Sequence, residues 1–152
     1  ALHMAVVMVD VETGVLRLRA YNCVDDCGRV VNPLIVHGQV HGGLGQGIGQ
    51  AMIEHMEYEP ESGQLLTGSF MDYAMPRADD LPSFGLSFQE TLCPSNPLGV
   101  KGCSETGASG PPAAIGNAIM DACWDLGLRH LDQPYTPERV WRALRAASAP
   151  EG

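Results

Sequence analysis

The stretch Asn32-Pro33-Leu34-Ile35-Val36-His37-Gly38-Gln39-Val40-His41-Gly42-Gly43-Leu44-Gly45-Gln46-Gly47-Ile48-Gly49-Gln50-Ala51-Met52-Ile53-Glu54 decides the fold. Asn32 is an N-cap residue and Pro33 suits the first helical position, where its missing N–H costs nothing. The spacing predicts a helix over about 33–54. Six glycines lie inside it, a cost of ~6 kcal/mol relative to alanine. A solvent-facing helix would not keep them at that cost. Gly38, Gly42, Gly45 and Gly49 form one bare stripe. Gln39, Gln46 and Gln50 lie on a stripe roughly 100° round, joined by Gly43, and Val36, Val40, Leu44 and Ile48 occupy a third face. Two readings follow. Either another backbone packs against the bare stripe, or a ligand is reached there by backbone and glutamine.

Working outward, Ala5–Asp10 reads as a strand, Glu12-Thr13-Gly14 as a turn, and Val15–Tyr21 as an alternating second strand. Asp25–Gly28 reads as a loop. Glu57–Glu59 and Gln64–Leu66 flank a turn at Glu61-Ser62-Gly63, a second hairpin. Phe70–Met75 reads as a short helical turn ending at Pro76, Arg77–Pro82 as a polar loop, and Phe84–Leu92 as a strand. A glycine-rich loop spans Pro94–Gly107. Pro111 and Pro112 open a helix to about Leu126, with Gly127 at C′. Its apolar stripe is Ile115, Ile119, Ala122 and Leu126. Thr136-Pro137-Glu138 starts a last helix, which carries Val140, Trp141 and Leu144 and ends near Arg145. The expected fold class is α+β: β-hairpins packed with a glycine-rich helix and two later helices. Residues 1–152 read as a single domain or domain fragment, with 147–152 a frayed tail.

Composition excludes several functions. The 152 residues carry eighteen acidic and nine basic side chains, a net charge of −9. Lys101 is the only lysine and no basic run occurs, which argues against nucleic acid and anionic membrane as partners. An anionic ligand must therefore be held by backbone N–H and amide groups. No apolar stretch approaches the ~20 residues of a membrane span. No secretory leader opens the chain, and an odd, sparse set of five cysteines reads as reduced cytoplasmic thiols. Eighteen glycines and eleven prolines make much of the chain irregular loop or close backbone contact.

Candidate chemistry is limited. His37 and His41 have metal-ligand spacing, yet Gly38 stands where a zinc hydrolase of the H-E-x-x-H type has glutamate. Structural roles suit them better. Cys23 and Cys27 form C-x3-C with no second pair, so no metal site is assigned. Gly45–Gln50 is glycine-rich but lies inside a helix, unlike a dinucleotide fingerprint. Glu105 sits in a loop of small residues. It is either a solvated loop residue or a buried acid suited to general-base work.

Three blocks and the chain's ending resemble the C-terminal end of the molybdenum-binding large subunit of the xanthine dehydrogenase / aldehyde oxidase / aerobic carbon monoxide dehydrogenase family. The first is Asp26-Cys27-Gly28-Arg29-Val30-Val31-Asn32-Pro33, running into Gly38-Gln39-Val40-His41-Gly42-Gly43 and Gln46–Ala51. The second is Met71-Asp72-Tyr73-Ala74-Met75-Pro76-Arg77 with Asp80-Leu81-Pro82. The third is Asn96–Gly102, Ser104-Glu105-Thr106-Gly107 and Pro112–Ile119. Leu131–Trp141 is similar to the family's tail. The resemblance covers nearly the whole chain, in order.

The resemblance implies roles. Glu105 would be the family's catalytic base, acting on a molybdenum-bound hydroxyl. Gln39 would contact the cofactor, with Gly38, Gly42 and Gly43 beside it, and the backbone of Lys101, Gly102, Cys103 and Ser104 would line it. The cofactor would be molybdenum-molybdopterin, in its cytosine dinucleotide form. Electrons would leave through iron–sulfur and FAD groups in other subunits or domains. Cys103 and Ser104 depart from the Val or Ile and Gly of many relatives, which narrows the backbone around Glu105. Family subunits are several times longer than this chain. The expectation is a C-terminal portion of a molybdenum hydroxylase, which oxidises an aldehyde, an N-heterocycle or a carbon monoxide-like small molecule. Its partners would be the rest of the molybdenum subunit and the iron–sulfur and flavin subunits. Alone, the chain would be inactive and cofactor-free. The alternative is a non-catalytic interaction module, homodimeric or completing a partner through exposed core faces.

Overall fold

A computed structural model describes residues 1–148. Strand β1 (Leu2–Val9) and strand β2 (Leu16–Asp25) pair antiparallel. Helix α1 (Pro33–Met52) follows. Strand β3 (Phe84–Phe88) then pairs parallel to β2, giving a three-stranded sheet in the order β1-β2-β3. Parallel pairing requires a long crossover, and the segment holding α1 supplies it. A single-turn helix α2 (Thr106–Ser109), helix α3 (Pro111–Cys123) and helix α4 (Pro137–Ala147) complete the α+β fold.

One irregularity sets the sheet's faces. The register shifts between Val6 and Val7, so that Val6 faces Ala20 and Val7 faces Leu18. The extra residue on β2, Arg19, is a β-bulge. It switches the inward positions of β2 from even to odd. Leu18 therefore shares the core with Tyr21, Cys23 and Asp25, which simple alternation would place on opposite faces. Helices α1 and α3 cover this inner face. Val40, Leu44 and Ile48 meet Ile115, Ile119 and Cys123 there, closed by Val140 and Leu144 of α4.

Most predicted elements form, with shifted ends. The first hairpin's strands run longer than expected at Leu2 and at Asp25, and Asp25 is a buried strand residue, not part of a loop. The second hairpin reduces to one bridge between Tyr58 and Leu65. Phe70–Met75 is an irregular turn, and the following loop contains a 3-10 turn at Ala78–Asp80. β3 stops at Phe88 instead of Leu92. The α-helix after Pro111 ends at Cys123 and tightens to 3-10 geometry over Trp124–Leu126 before Gly127, whose φ is 88°. The last helix continues to Ala147, past Arg145, so the first residue of the expected frayed tail is helical. The end of that tail, residues 149–152, lies outside the described residues.

Candidate functional site

The glycines of α1 divide differently from the predicted stripe. Gly43 and Gly47 make the close backbone approach. A Cβ on Gly43 would sit 3.0 Å from Ala108 N and Gly107 Cα, and one on Gly47 would sit 2.6 Å from Ala108 O. From the other side, a Cβ on Gly107 would meet Val40 O and Leu44 N. Helix α2, directly after Glu105, is thus pressed onto α1 with no side chain between. Gly38 and Gly42 have nothing within 4 Å of where a Cβ would lie. The bare stripe is therefore open at its N-terminal half, while Gly49 is covered by Pro76 and Glu54. The reason is angular. Positions 43 and 47 flank the core-facing row Val40, Leu44 and Ile48, and positions 38 and 42 turn to solvent.

This packing brings the predicted site residues together. Gln39 Nε2 donates to the carbonyl oxygen of Ser104 at 2.8 Å. Glu105 follows as the N-cap residue of α2; its carbonyl accepts from Ala108 N and Ser109 N, each at 3.1 Å, and from Ser109 Oγ at 3.0 Å. The Glu105 side chain is exposed. It opens onto a cavity of about 560 Å³, lined also by His3, Gly102, Ser104, Thr106 and Ser109. The amides of Gly102, Cys103, Ser104 and Glu105 donate to no protein acceptor among the described residues.

The loop before Glu105 is braced from behind. Lys101 N donates to Cys27 O at 2.9 Å, and Gly28 bridges Val100. Gly28 and Gly99 both adopt positive φ, 65° and 69°. A Cβ on Gly28 would strike Gly99 O, so glycine is required by both conformation and contact. Lys101 Nζ reaches Asp26 Oδ2 at 2.7 Å. Asp26 also accepts from the amides of Gly28 and Thr91. The Lys101 ammonium, helped by those two amides, holds the Asp26 carboxyl well below the usual carboxylate range. Lys101 therefore contributes backbone to the loop, while its charge is engaged behind it.

The histidine pair packs against β3. His41 Nδ1 donates to His37 O at 2.8 Å. The His37 ring meets Phe88 and the His41 ring meets Phe84, with centroids 5.0 Å and 5.7 Å apart. No cluster of three metal-ligating side chains occurs among the described residues. All five cysteines are free thiols. Sequence reading gave no role to His3, which lines the Glu105 cavity, or to Asp25, which faces the His3 ring. Local pattern carried no signal for Asp25, whose inward phase depends on the bulge at Arg19.

Residues 1–82 match the molybdopterin cofactor-binding domain family. This chain belongs to that family. The matched part of this molybdopterin-binding domain carries β1, β2, α1 and the loop to Pro82. The domain is 37% identical over 144 residues to the carbon monoxide dehydrogenase large chain of Hydrogenophaga pseudoflava, covering 95% of this chain and 18% of the relative. It is 40% identical over 143 residues to the nicotine 6-hydroxylase large subunit of Paenarthrobacter nicotinovorans, covering 94% and 17%. Among solved structures, quinoline 2-oxidoreductase from Pseudomonas putida 86 superposes with a TM-score of 0.91 at 38% identity, covering 95% of this chain and 18% of that one. The domain thus spans less than a fifth of the length of these relatives.

Proposed function

We propose that this molybdopterin-binding domain supplies the general base and part of the cofactor site of a molybdenum hydroxylase. The observation that carries the reading is the bond from Gln39 to Ser104, which sets the open glycine face of α1 beside the Glu105 loop. The residues suit molybdopterin. Gly38 and Gly42 leave room for a polar group to lie against the helix. Four successive free amides, at 102–105, and the Gln39 amide group offer neutral donors to its oxygens and phosphates. Gly43 serves packing first, by admitting α2.

Bound molybdopterin, in its cytosine dinucleotide form, supplies the redox centre that accepts an electron pair from the substrate. The chain's own part is positional and acid–base. The Glu105 carboxylate takes a proton at the cavity where substrate is oxidised. Gln39 and the Lys101–Asp26 brace keep its loop in place. The substrate class is an aldehyde, N-heterocycle or carbon monoxide-like molecule, oxidised with oxygen from water. Iron–sulfur and FAD groups in partner subunits or domains would serve as the electron acceptors, in the cytoplasm. The domain alone is inactive and holds no cofactor.

The test is the complete enzyme carrying Glu105→Gln. Dye-reducing turnover is expected to be lost while molybdenum content stays at the wild-type level. Undiminished turnover would remove Glu105 from the mechanism.

A second reading, a non-catalytic interaction module, is favoured by one observation. Leu2, Met4, Val6 and Met8 of β1 form an exposed apolar row, 46–64% accessible. The occupant that fits is the remainder of the molybdenum subunit, since the relatives are more than five times longer. Size-exclusion of the isolated chain at several concentrations discriminates. Self-association that Val6→Lys abolishes is expected if this face seeks a partner, and a strict monomer argues against it. No helix is long and apolar enough to cross a membrane among the described residues.

A further inference from the structure

Asp25 ends β2 inside the core, with its side chain 1% exposed. Oδ2 accepts from Cys23 Sγ at 3.5 Å. Oδ1 is buried and has no hydrogen-bond partner among the described residues. It faces His3 Nε2 at 3.7 Å, an ion-pair distance too long for a hydrogen bond. On the other side of the ring, His3 Nδ1 lies 2.9 Å from the Tyr21 hydroxyl. The Asp25 carboxyl oxygen facing Nε2 favours the tautomer that carries its hydrogen there, and Nδ1 then accepts from the Tyr21 hydroxyl. The Nε2 hydrogen then points toward Asp25. A buried carboxyl oxygen without a partner is costly, and an apolar residue at 25 would avoid that cost.

The ring has a second contact surface. A Cβ on Gly110 would fall inside the His3 imidazole, so the chain crosses His3 only as glycine. His3 also lines the Glu105 cavity. Its backbone pairs with Cys23 in the β1–β2 ladder, so the ring cannot slide. Gly110 adjoins Ser109, which is tied to the Glu105 carbonyl by both its amide and its hydroxyl.

We propose that His3 is a positioning residue for Glu105: clamped between Tyr21 and Asp25, its imidazole is the wall that seats the Ser104–Gly110 segment. The inference rests on Glu105 being the base. The titratable groups around His3 are the Ala1 amino group beside it, Tyr21, Cys23 and Asp25 from β2, and Glu105 across the cavity; the residue before α3 that meets the ring is Gly110. Burial lowers the His3 pKa against the opposing pull of Asp25.

The test compares His3→Ala, His3→Gln and Asp25→Asn in the full chain by amide hydrogen exchange, and in the complete enzyme by kcat and KM. Exchange at 104–110 is expected to quicken about tenfold in His3→Ala and Asp25→Asn, with β1 and β2 amides changed by less than about twofold. His3→Gln, which keeps an N–H near the place of Nε2, should restore the wild-type rate. In the enzyme, kcat should fall about tenfold with KM nearly constant. Unchanged exchange at 104–110, or equal acceleration throughout the sheet, would overturn the proposal, as would a glutamine variant as loose as the alanine one. Glu105→Gln is measured alongside. If it retains turnover, the reading of Glu105 as base fails, while the exchange data still decide what His3 holds.

Discussion

Gln39 Nε2 and the Ser104 carbonyl oxygen, 2.8 Å apart, join the open face of α1 to the residue before Glu105. The two positions are 65 residues apart in the chain. The bond is exposed, so its contribution to stability is small, about 0.5–1 kcal/mol. Its effect on geometry is larger, because a displacement of ~1 Å at a catalytic group costs about 100-fold in rate. Gln39→Ala should leave the melting temperature of the chain nearly unchanged. In the complete enzyme it should lower turnover by about ten- to 100-fold. A variant with full turnover would detach this bond from catalysis.

The two kinds of glycine in α1 should respond oppositely to alanine. Gly47→Ala forces a Cβ to 2.6 Å from the Ala108 carbonyl and 2.9 Å from Pro111 Cγ. It should destabilise the chain by about 1–3 kcal/mol. Gly38→Ala and Gly42→Ala meet empty space and should each stabilise by up to ~1 kcal/mol through helix propensity. Urea unfolding of the three variants measures this contrast. In the complete enzyme, the two stabilising variants should reduce molybdopterin content, because their methyl groups enter the proposed cofactor face. Stabilisation with undiminished cofactor would move the cofactor off that face.

Acid should weaken the brace behind the Glu105 loop. The Asp26 carboxyl is held below its ordinary value of 3.8 by Lys101 first, then by the amides of Gly28 and Thr91. A depressed folded pKa means stability that is present above about pH 4 and lost as pH falls through the folded value. Lys101→Met should lower stability at pH 7 and make the decline between about pH 4 and pH 2 shallower. Denaturant titrations at stepped pH follow both changes. Equal acid slopes in the two proteins would contradict the pairing.

Thiol reactivity should follow environment. Cys93 Sγ lies 3.1 Å from Ser95 Oγ, and that contact, with the Ser95 amide, lowers its pKa. Burial pushes the Cys23 thiol up to about 12 and also raises Cys27 and Cys123. Iodoacetamide at pH 8 should therefore alkylate Cys93 well ahead of those three, as read by peptide mass spectrometry. Labelling of Cys23 at the rate of Cys93 would mean that the core opens readily.

Much of this protein was legible in local chemistry. Asn32 and Pro33 announce α1, and the Asn32 side chain does accept from Ile35 N. Thr136-Pro137 announces α4, and Gly127 takes the left-handed conformation that ends the α3 segment. The rows Val40–Leu44–Ile48 and Ile115–Ile119 point to the core, because helical period alone puts each on one face. The blocks around Gln39 and Glu105 were recognisable as motifs, and family membership follows from the chain itself.

Contacts between distant segments were not legible. Local pattern cannot say that α2 lands on Gly43 and Gly47 and leaves Gly38 and Gly42 open, because the partner lies some sixty residues away. Nor can it place β3 parallel to β2, or reveal the bulge that turns Tyr21, Cys23 and Asp25 inward. The bulge explains why Asp25 reads as loop. A carboxyl at a strand end looks solvated until the register buries it against His3. By itself, the sequence determined the elements, their caps and the residue types available for chemistry, since these depend on neighbours within one or two helical turns. Only the tertiary structure decided which glycines admit backbone, which remain open, and that Gln39, Glu105 and the His3–Asp25 pair lie in one neighbourhood. Those relationships arise from sheet register and helix docking, which couple residues across the whole chain.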